Sequence, residues 1–520
     1  MNERIVQSLR RAAQVRPRGT ATLCGARRRT WSESEARVAR AAAGLRALGV
    51  ADNDRVGILA LNSDRYFEAY YAVPWAGGVM LPLNTRLTAA DLEYMLDDAE
   101  ASVLCVDDAF VDLLPGLRGR CPHLKQVVYL GDDPRAGEGL LAWDDLVARS
   151  EPMPPADRSG QDIAGIFYTG GSTGRPKGVM LSHGNLVSNA VNAIYMIGYD
   201  ASSIFLHAAP MCHLTDGMST LAITMAAGTH AFVPKFDPRQ VLEQVAEHKV
   251  TNVTLVPTMI AMLLEVPGIA DMPLASLRQF MFGSAPMPDA TLKRAVEIWP
   301  DMLFLHGWGM TELSPIGTML PMAMRKPAIA GDRLRSCGQP MPNLEVMVVD
   351  ADDREVPRGT TGEIVVRGPT VMQGYWKKPA ETAAAIRDGW FHTGDAAMMD
   401  DEGYVYIVDR LKDMIISGGE NIYSTEVENA ISLMPGVSEV AVIGIPDDKW
   451  GERVHAIVVP RDGASLTAEA VQAWAREKIA GYKVPRSVLV RAERLPLSGA
   501  GKVLKGELRA PYWADHARKI

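Results

Sequence analysis

YTGGSTGRPKGVMLSH, running from Tyr168 to His183, is the stretch on which the reading of this chain turns. It follows the strand-like IAGIF and packs four glycines, three Ser/Thr hydroxyls, an arginine and a lysine into the eleven positions from Tyr168 to Gly178. That composition suits a phosphate cradle. Gly170, Gly171 and Gly174 let backbone N–H groups approach phosphate oxygens, Ser172 and Thr173 add hydroxyl donors, and Lys177 adds charge. It is not a Walker A loop, because Lys177 stands between Pro176 and Gly178 rather than in the order G-K-[ST]. Gly170, Ser172 and Gly174 also spell the G-x-S-x-G of a serine-esterase nucleophile elbow. An elbow needs a helix directly behind its serine, and Arg175-Pro176-Lys177-Gly178 does not begin one. A Gly-rich surface hairpin without function is the plain alternative.

Outward from this stretch, the N-terminal part alternates helix and strand. SESEARVARAAAGLRAL is Ala-rich and helical up to Gly49, and DRVGILAL (Asp54 to Leu61) then reads as a buried strand. ASVLCVDD, LKQVVYLGD, THAFVPKF, TNVTLVP and LRQFMFG repeat the rhythm, which predicts an α/β fold of mostly parallel sheets covered by helices. Near residue 340 the texture changes to short strands joined by Asp/Gly turns, predicting a β-rich, barrel-like subdomain over about 340–409. From Arg410 onward VSEVAVIGIP and RVHAIVVP read as paired strands, with a helix from Thr467 to Ala480, giving a small α+β domain over 410–520. The Pro-rich EPMPPADRSG (Glu151 to Gly160) reads as a loop.

The length of 520 residues asks for about three domains. A net charge of −8, from 54 Lys+Arg against 62 Asp+Glu, gives no general attraction to nucleic acid or to acidic membranes. Five scattered cysteines without a C-x-x-C pair point to a reduced, cytoplasmic protein. Ala69 to Thr85 and Gly217 to Pro234 are uncharged but interrupted by Gly and Pro, which predicts buried core and no integral membrane association.

YTGGSTGRPKG resembles the phosphate loop of the adenylate-forming superfamily, which comprises acyl-CoA synthetases, nonribosomal-peptide adenylation domains and luciferases. The resemblance continues in the family's order through GSAPM (Gly283 to Met287), HGWGMTE (His306 to Glu312), GWFHTGD (Gly389 to Asp395), DRLKDMIISGGENIY (Asp409 to Tyr423) and LPLSGAGKVLK (Leu495 to Lys505). It implies attack of a carboxylate on the ATP α-phosphate, release of pyrophosphate, and transfer of the acyl group to coenzyme A. It also implies an N-terminal AMP-binding domain over 1–409 and a mobile C-terminal domain over 410–520 that turns about a hinge at Lys412.

By the same resemblance, Thr169 to Gly174 and Lys177 would meet the phosphates, and Asp395 would accept both ribose hydroxyls. Trp308 would lie against the adenine, with Gly283, Ser284, Ala285 and Pro286 on the other side of the base. His306, Gly307, Gly309 and Met310 belong to the same nucleotide-binding segment. Thr311 would meet the α-phosphate, Thr169 and Glu312 would hold Mg²⁺, and Arg410 and Lys502 would supply positive charge. Lys502 would reach the substrate carboxylate during adenylation. Ser417, Gly418 and Gly419 would let the pantetheine of coenzyme A pass. The chain departs from the usual pattern at Gly170, where Ser is common, at His306, where Gln is common, and at Trp308, where Tyr is common.

His213, in PMCH, sits at the aromatic/His position that borders the acyl pocket in the acyl and aryl synthetases, so the resemblance implies an acyl pocket at His213, with Gly283, Gly307 and Ser314 also lining it. Amino-acid-activating relatives place an Asp there. Asp216, three residues on, is the nearest acid in sequence. Apolar stretches around His213, over Met218 to Ala226 and Ser314 to Leu320, favour a medium- or long-chain fatty acid, with an aryl acid such as a hydroxycinnamate second. The expected partners are the acid, ATP and free coenzyme A, with a homodimer as the candidate assembly.

Overall fold

The computed structural model describes residues 3–133, 137–170, 175–283, 285, 287–321, 331–497 and 503–514. Two large sheets dominate. In the first, Arg55–Leu59 lies at the centre, with Val79–Pro82 on one side and Val103–Val106 on the other, and Gln126–Tyr129 beyond the latter, all parallel. Ile163–Thr169 joins parallel to Val79–Pro82, and Lys177–Ser182 then returns antiparallel. In the second sheet Thr20–Cys24, Thr229–Phe232, Ile204–His207, Asn252–Leu255, Gln279–Phe282 and Leu303–Gly309 run parallel in that spatial order.

These strands are covered on both faces, the setting in which parallel sheets occur. Val103–Val106, Thr229–Phe232, Asn252–Leu255 and Gln279–Phe282 are buried along their whole length, as strands covered by helices on both sides must be. The helix Asp64–Trp75, whose second half opens the first uncharged stretch, is wholly buried. The helix after Thr30 spans Trp31–Ala47, and its capping box is complete: the Thr30 hydroxyl accepts from Glu33 N while Glu33 accepts from Thr30 N. No helix among the described residues is long and apolar enough to cross a membrane.

Glu345–Val349, Thr361–Arg367, Trp390–Met399, Ile386–Arg387 and Val405–Arg410 form an antiparallel sheet, β-rich as the change of texture near 340 predicts, but among the described residues no pairing closes it into a barrel. A fourth sheet holds Ile415–Ser417, Glu420–Ile422, Val437–Asp447, Gly451–Pro460 and Ser487–Val490. Asp409 links the third sheet to the unit behind it, since its carboxylate accepts from the Ser424 hydroxyl at 2.7 Å and from Ser424 N at the start of the helix Ser424–Ser432.

The helix expected over Thr467 to Ala480 is shorter. It spans Ala468–Arg476 behind the Thr467 cap, because both Lys478 N and Ile479 N donate to Ala475 O, a tightened turn that ends the helix and leaves Ile479 packed against the core of the unit.

Candidate active site

The phosphate-loop stretch is a hairpin. Thr169 pairs with Lys177 across an antiparallel ladder, so the chain beyond the loop enters a strand and not the helix that a nucleophile elbow needs. A brace holds the hairpin from behind. Tyr94 OH donates to Pro176 O at 3.3 Å, the Arg175 guanidinium lies 5.0 Å from the centroid of the Tyr94 ring, and Tyr168 OH donates to Asp98. Gly171, Ser172, Thr173 and Gly174 lie outside the described residues, as do Ser284, Pro286 and Lys502. Leu497 and Val503 pair across the ends of the segment that contains Lys502.

The parallel strands Gln279–Phe282 and Leu303–Gly309 end side by side, with Phe282 opposite His306. The His306 ring stacks on Phe282 at 4.7 Å, and burial holds its pKa down at about 4, so the imidazole is neutral. A Cβ at Gly283 would stand 2.4 Å from Gly307 O, so the crossing of these two backbones explains the glycine at 283. Behind them the short turn Thr311–Leu313 packs against the strand Lys177–Ser182. Ser314 is buried, and its hydroxyl donates to Thr370 O at 2.7 Å.

Glu312 meets the phosphate hairpin through a residue that the motifs did not flag. Tyr375 OH donates to Glu312 Oε1 at 3.0 Å, and the strand Gly374–Tyr375 pairs with Lys177–Ser182. Burial and the nearby Glu312 charge push the Tyr375 pKa up, so the phenol stays protonated and donates.

Asp395 and Arg410 face each other across the antiparallel ladder, and Arg410 Nε lies 2.9 Å from Asp395 Oδ1 as an ion pair. Trp308 Nε1–H donates to Asp395 Oδ2 at 2.8 Å. Asp395 is 4% exposed, and its Oδ1 accepts no hydrogen bond from the chain. The backbone that carries it is also fixed. Gly394 N donates to Glu363 Oε1 at 2.9 Å, and Asp395 N donates to the Thr393 hydroxyl, which itself donates to Ile364 O at 2.6 Å.

His213 caps the helix Leu214–Met225, at the end of a loop held by Asn62. Asn62 Nδ2 lies 2.8 Å from Ala209 O and 3.2 Å from both His207 O and Val233 O, while its Oδ1 accepts from Met211 N at 2.8 Å. Tyr70 OH donates to Met211 O at 3.0 Å. Asp216 does not reach outward. It is fully buried and pairs with His207 Nδ1, while His207 Nε2 meets His230 Nδ1 at 2.9 Å, so this acid is committed to the interior.

On the fourth sheet Gly418 and Gly419 form a hairpin tip with φ of +64° and +86°. A Cβ at Gly418 would strike the Trp450 ring at 2.6 Å, whereas one at Gly419 would meet nothing within 4 Å. Ser417 pairs with Gly451. Lys412 lies in the turn Leu411–Asp413, and its carbonyl accepts from Arg509 Nη1 at 3.2 Å.

Residues 9–376 match the AMP-binding enzyme family, and residues 426–502 match the AMP-binding enzyme C-terminal domain. The chain belongs to the AMP-binding enzyme family. It is 42% identical to a feruloyl-CoA synthase from Amycolatopsis sp, over 96% of this chain and 98% of that protein. Against a long-chain-fatty-acid–CoA ligase of Mycobacterium tuberculosis the identity is 34%, covering 94% of each. ATP-bound MatB from Rhodopseudomonas palustris superposes with a TM-score of 0.89 at 33% identity, over the whole of both chains.

Within this family frame, Asn62, Tyr375 and Glu363 are the contributors that motif reading missed. Each acts on a group far away in sequence, and the only visible signal was Asn62 standing directly before the Ser63 cap of the helix Asp64–Trp75.

Proposed function

We propose that this AMP-forming acid–thiol ligase activates an aromatic acid of the hydroxycinnamate class and transfers it to coenzyme A. The observation that carries the reading is the 42% identity to a feruloyl-CoA synthase over nearly the full length of both chains. A fatty acid is the second reading, supported by the 34% identity to a long-chain-fatty-acid–CoA ligase and by the apolar stretches around His213.

In this reading ATP lies across the ends of the strands Ile163–Thr169 and Leu303–Gly309. Asp395 accepts the ribose hydroxyls, Thr311 meets the α-phosphate, and Lys177, Arg410 and Lys502 offset the charge brought together when a carboxylate approaches a polyphosphate. Glu312 and Thr169 are hard oxygen donors suited to Mg²⁺. Among the described residues no group of three or more His, Cys, Asp or Glu could hold a metal, and Mg²⁺ needs none where substrate phosphates complete its shell. Bound Mg²⁺ supplies charge neutralisation on the phosphates. Gly419, with open space where a Cβ would stand, leaves room for pantetheine, while Gly418 makes room for the Trp450 ring, on a C-terminal domain, 410–520, that turns about Lys412.

The test is ATP–pyrophosphate exchange with ferulate, 4-coumarate, octanoate, dodecanoate and palmitate, followed by thioester formation with coenzyme A. Ferulate or coumarate should give the largest kcat/KM. A preference for dodecanoate or palmitate selects the second reading, and ADP with phosphate as products would refute both.

A further inference from the structure

Where the family commonly has Tyr, this chain has Trp308, and its indole nitrogen makes a contact that the usual role of a base-stacking wall does not call for. We infer that Trp308 is a positioning residue for the ribose carboxylate, so that discrimination between ribo- and deoxynucleotides depends on the indole N–H. The inference rests on the reading of Asp395 as the ribose acceptor.

The geometry carries it in three steps. A carboxylate presents about four lone-pair sites on two oxygens and is acceptor-only, while an indole N–H is donor-only, so the direction of the 2.8 Å bond is unambiguous. Trp308 fills one site on Oδ2. Arg410 neutralises Oδ1 from 2.9 Å without a hydrogen bond, so sites remain on both oxygens. Two vicinal ribose hydroxyls need acceptor sites in that arrangement, one on each oxygen.

Next, the carboxylate keeps that orientation only while something stops it turning about its Cβ–Cγ bond. The Arg410 side chain is 43% exposed and long, a soft restraint, whereas Trp308 is 8% exposed. The indole is the stiffer of the two partners.

Finally, the indole itself is seated. A Cβ at Gly317 would stand 2.6 Å from Trp308 Cζ3 and 3.0 Å from Cε3, so the six-membered ring lies directly on the backbone of the neighbouring strand Ile316–Met319. Trp308 pairs with Thr318 on that strand. The side chain cannot swing without leaving this seat, which fixes Nε1 opposite Oδ2.

The experiment compares KM for ATP, 2′-deoxy-ATP and 3′-deoxy-ATP in the wild type, Trp308→Phe, Gly317→Ala and Asp395→Ala. The wild type should prefer ATP over either deoxynucleotide by about tenfold or more, the loss of one hydrogen bond to a charged acceptor. Trp308→Phe keeps an aromatic ring and loses the donor, and should bring both ratios to within about threefold of unity. Gly317→Ala keeps the whole indole but displaces it, and should lower the same ratios, which covers the case of a Phe variant that does not fold. Wild-type ratios in a folded Trp308→Phe or Gly317→Ala enzyme would overturn the inference. Wild-type ratios in Asp395→Ala would instead show that the ribose lies elsewhere, a failure of the reading beneath it.

Discussion

The ammonium of Lys177 lies 5.1 Å from the centroid of the Tyr375 ring. Because the hydroxyl of the same ring donates to Glu312, one side chain touches both the cation of the phosphate hairpin and the carboxylate assigned to Mg²⁺. Tyr375→Phe removes the hydroxyl and keeps the ring. The Mg²⁺ concentration for half-maximal pyrophosphate exchange should rise roughly three- to tenfold, equivalent to about 1 kcal/mol for one hydrogen bond. Tyr375→Leu should also weaken ATP binding by loss of the cation–π contact. An unchanged Mg²⁺ requirement in the Phe variant would separate Tyr375 from the metal.

Asn62→Ala removes the amide that serves the carbonyls of Ala209 and Val233 and the N–H of Met211, and one of the two donors to the His207 carbonyl, which keeps Val233 N. The expected cost is about 1–3 kcal/mol of stability, read from the midpoint of urea unfolding. Since the loop ends at His213, KM for the acid should rise more than KM for ATP. Equal changes in the two would mean that the loop does not shape the acid site.

Acid should destabilise the fold between about pH 6.5 and 4. Burial holds His183, His306 and His455 each at about 4, below the ordinary 6.5. In that window the unfolded chain takes up protons that the native chain refuses, so the native stability is complete above pH 6.5 and falls as the pH drops toward 4. For His183, 1% exposed, the share is about 3 kcal/mol at most. Asp144, held down at about 2 by its hydrogen bonds to Arg65 and Arg37 against the cost of burial, loses its contribution only below the ordinary 3.8, outside this window. Urea midpoints at pH 7.5 and 4.5 measure the slope, and His183→Gln should make it shallower. Asp107, raised to about 6 by burial, works in the opposite sense below pH 6, so the histidine share is read as the difference between the wild type and His183→Gln, and identical slopes in the two would contradict a neutral His183.

The two half-reactions should separate by mutation. Gly419→Leu places a side chain in open space at the hairpin tip, with a strained φ of +86°, and should block thioester formation while sparing adenylation. Lys502→Ala should do the reverse. One charge at about 4 Å and an effective dielectric near 20 is worth roughly 4 kcal/mol, on the order of a thousandfold, less where water reaches the loop. Lys177→Ala should cost only about tenfold. Adenylation falling equally in both Lys variants would remove the special role of Lys502, and both half-reactions falling equally in Gly419→Leu would contradict a C-terminal domain that turns about Lys412 between the two steps.

Much of this architecture was legible because strands buried on both faces leave unbroken apolar runs. ASVLCVDD and LRQFMFG could be assigned on that ground alone, and the strands Val103–Val106 and Gln279–Phe282 lie within them. The helix after Thr467 overran because periodicity continues through Ile479 while the backbone turns at Ala475. The phosphate hairpin was legible because glycine, hydroxyl and lysine at that density have few other uses. Asn62, Tyr375 and Glu363 were not, since an Asn that serves carbonyls about 145 residues away looks like any Asn before a helix cap. The burial of Asp216 against His207 was equally hidden, because a sequence gives the spacing of an acid and not the side of the helix on which it spends its charge.

The reach of Asn62 bears on how this protein can be re-engineered. Segment 207–213 is stitched to residue 62, which belongs to the other large sheet's side of the chain and arrives some 145 positions earlier. A donor segment grafted there from a homologue brings its backbone carbonyls but not the amide that receives them. Exchange of acid specificity by swapping that segment alone will therefore succeed only between parents that share the asparagine, and otherwise residue 62 must travel with it as part of the same cassette.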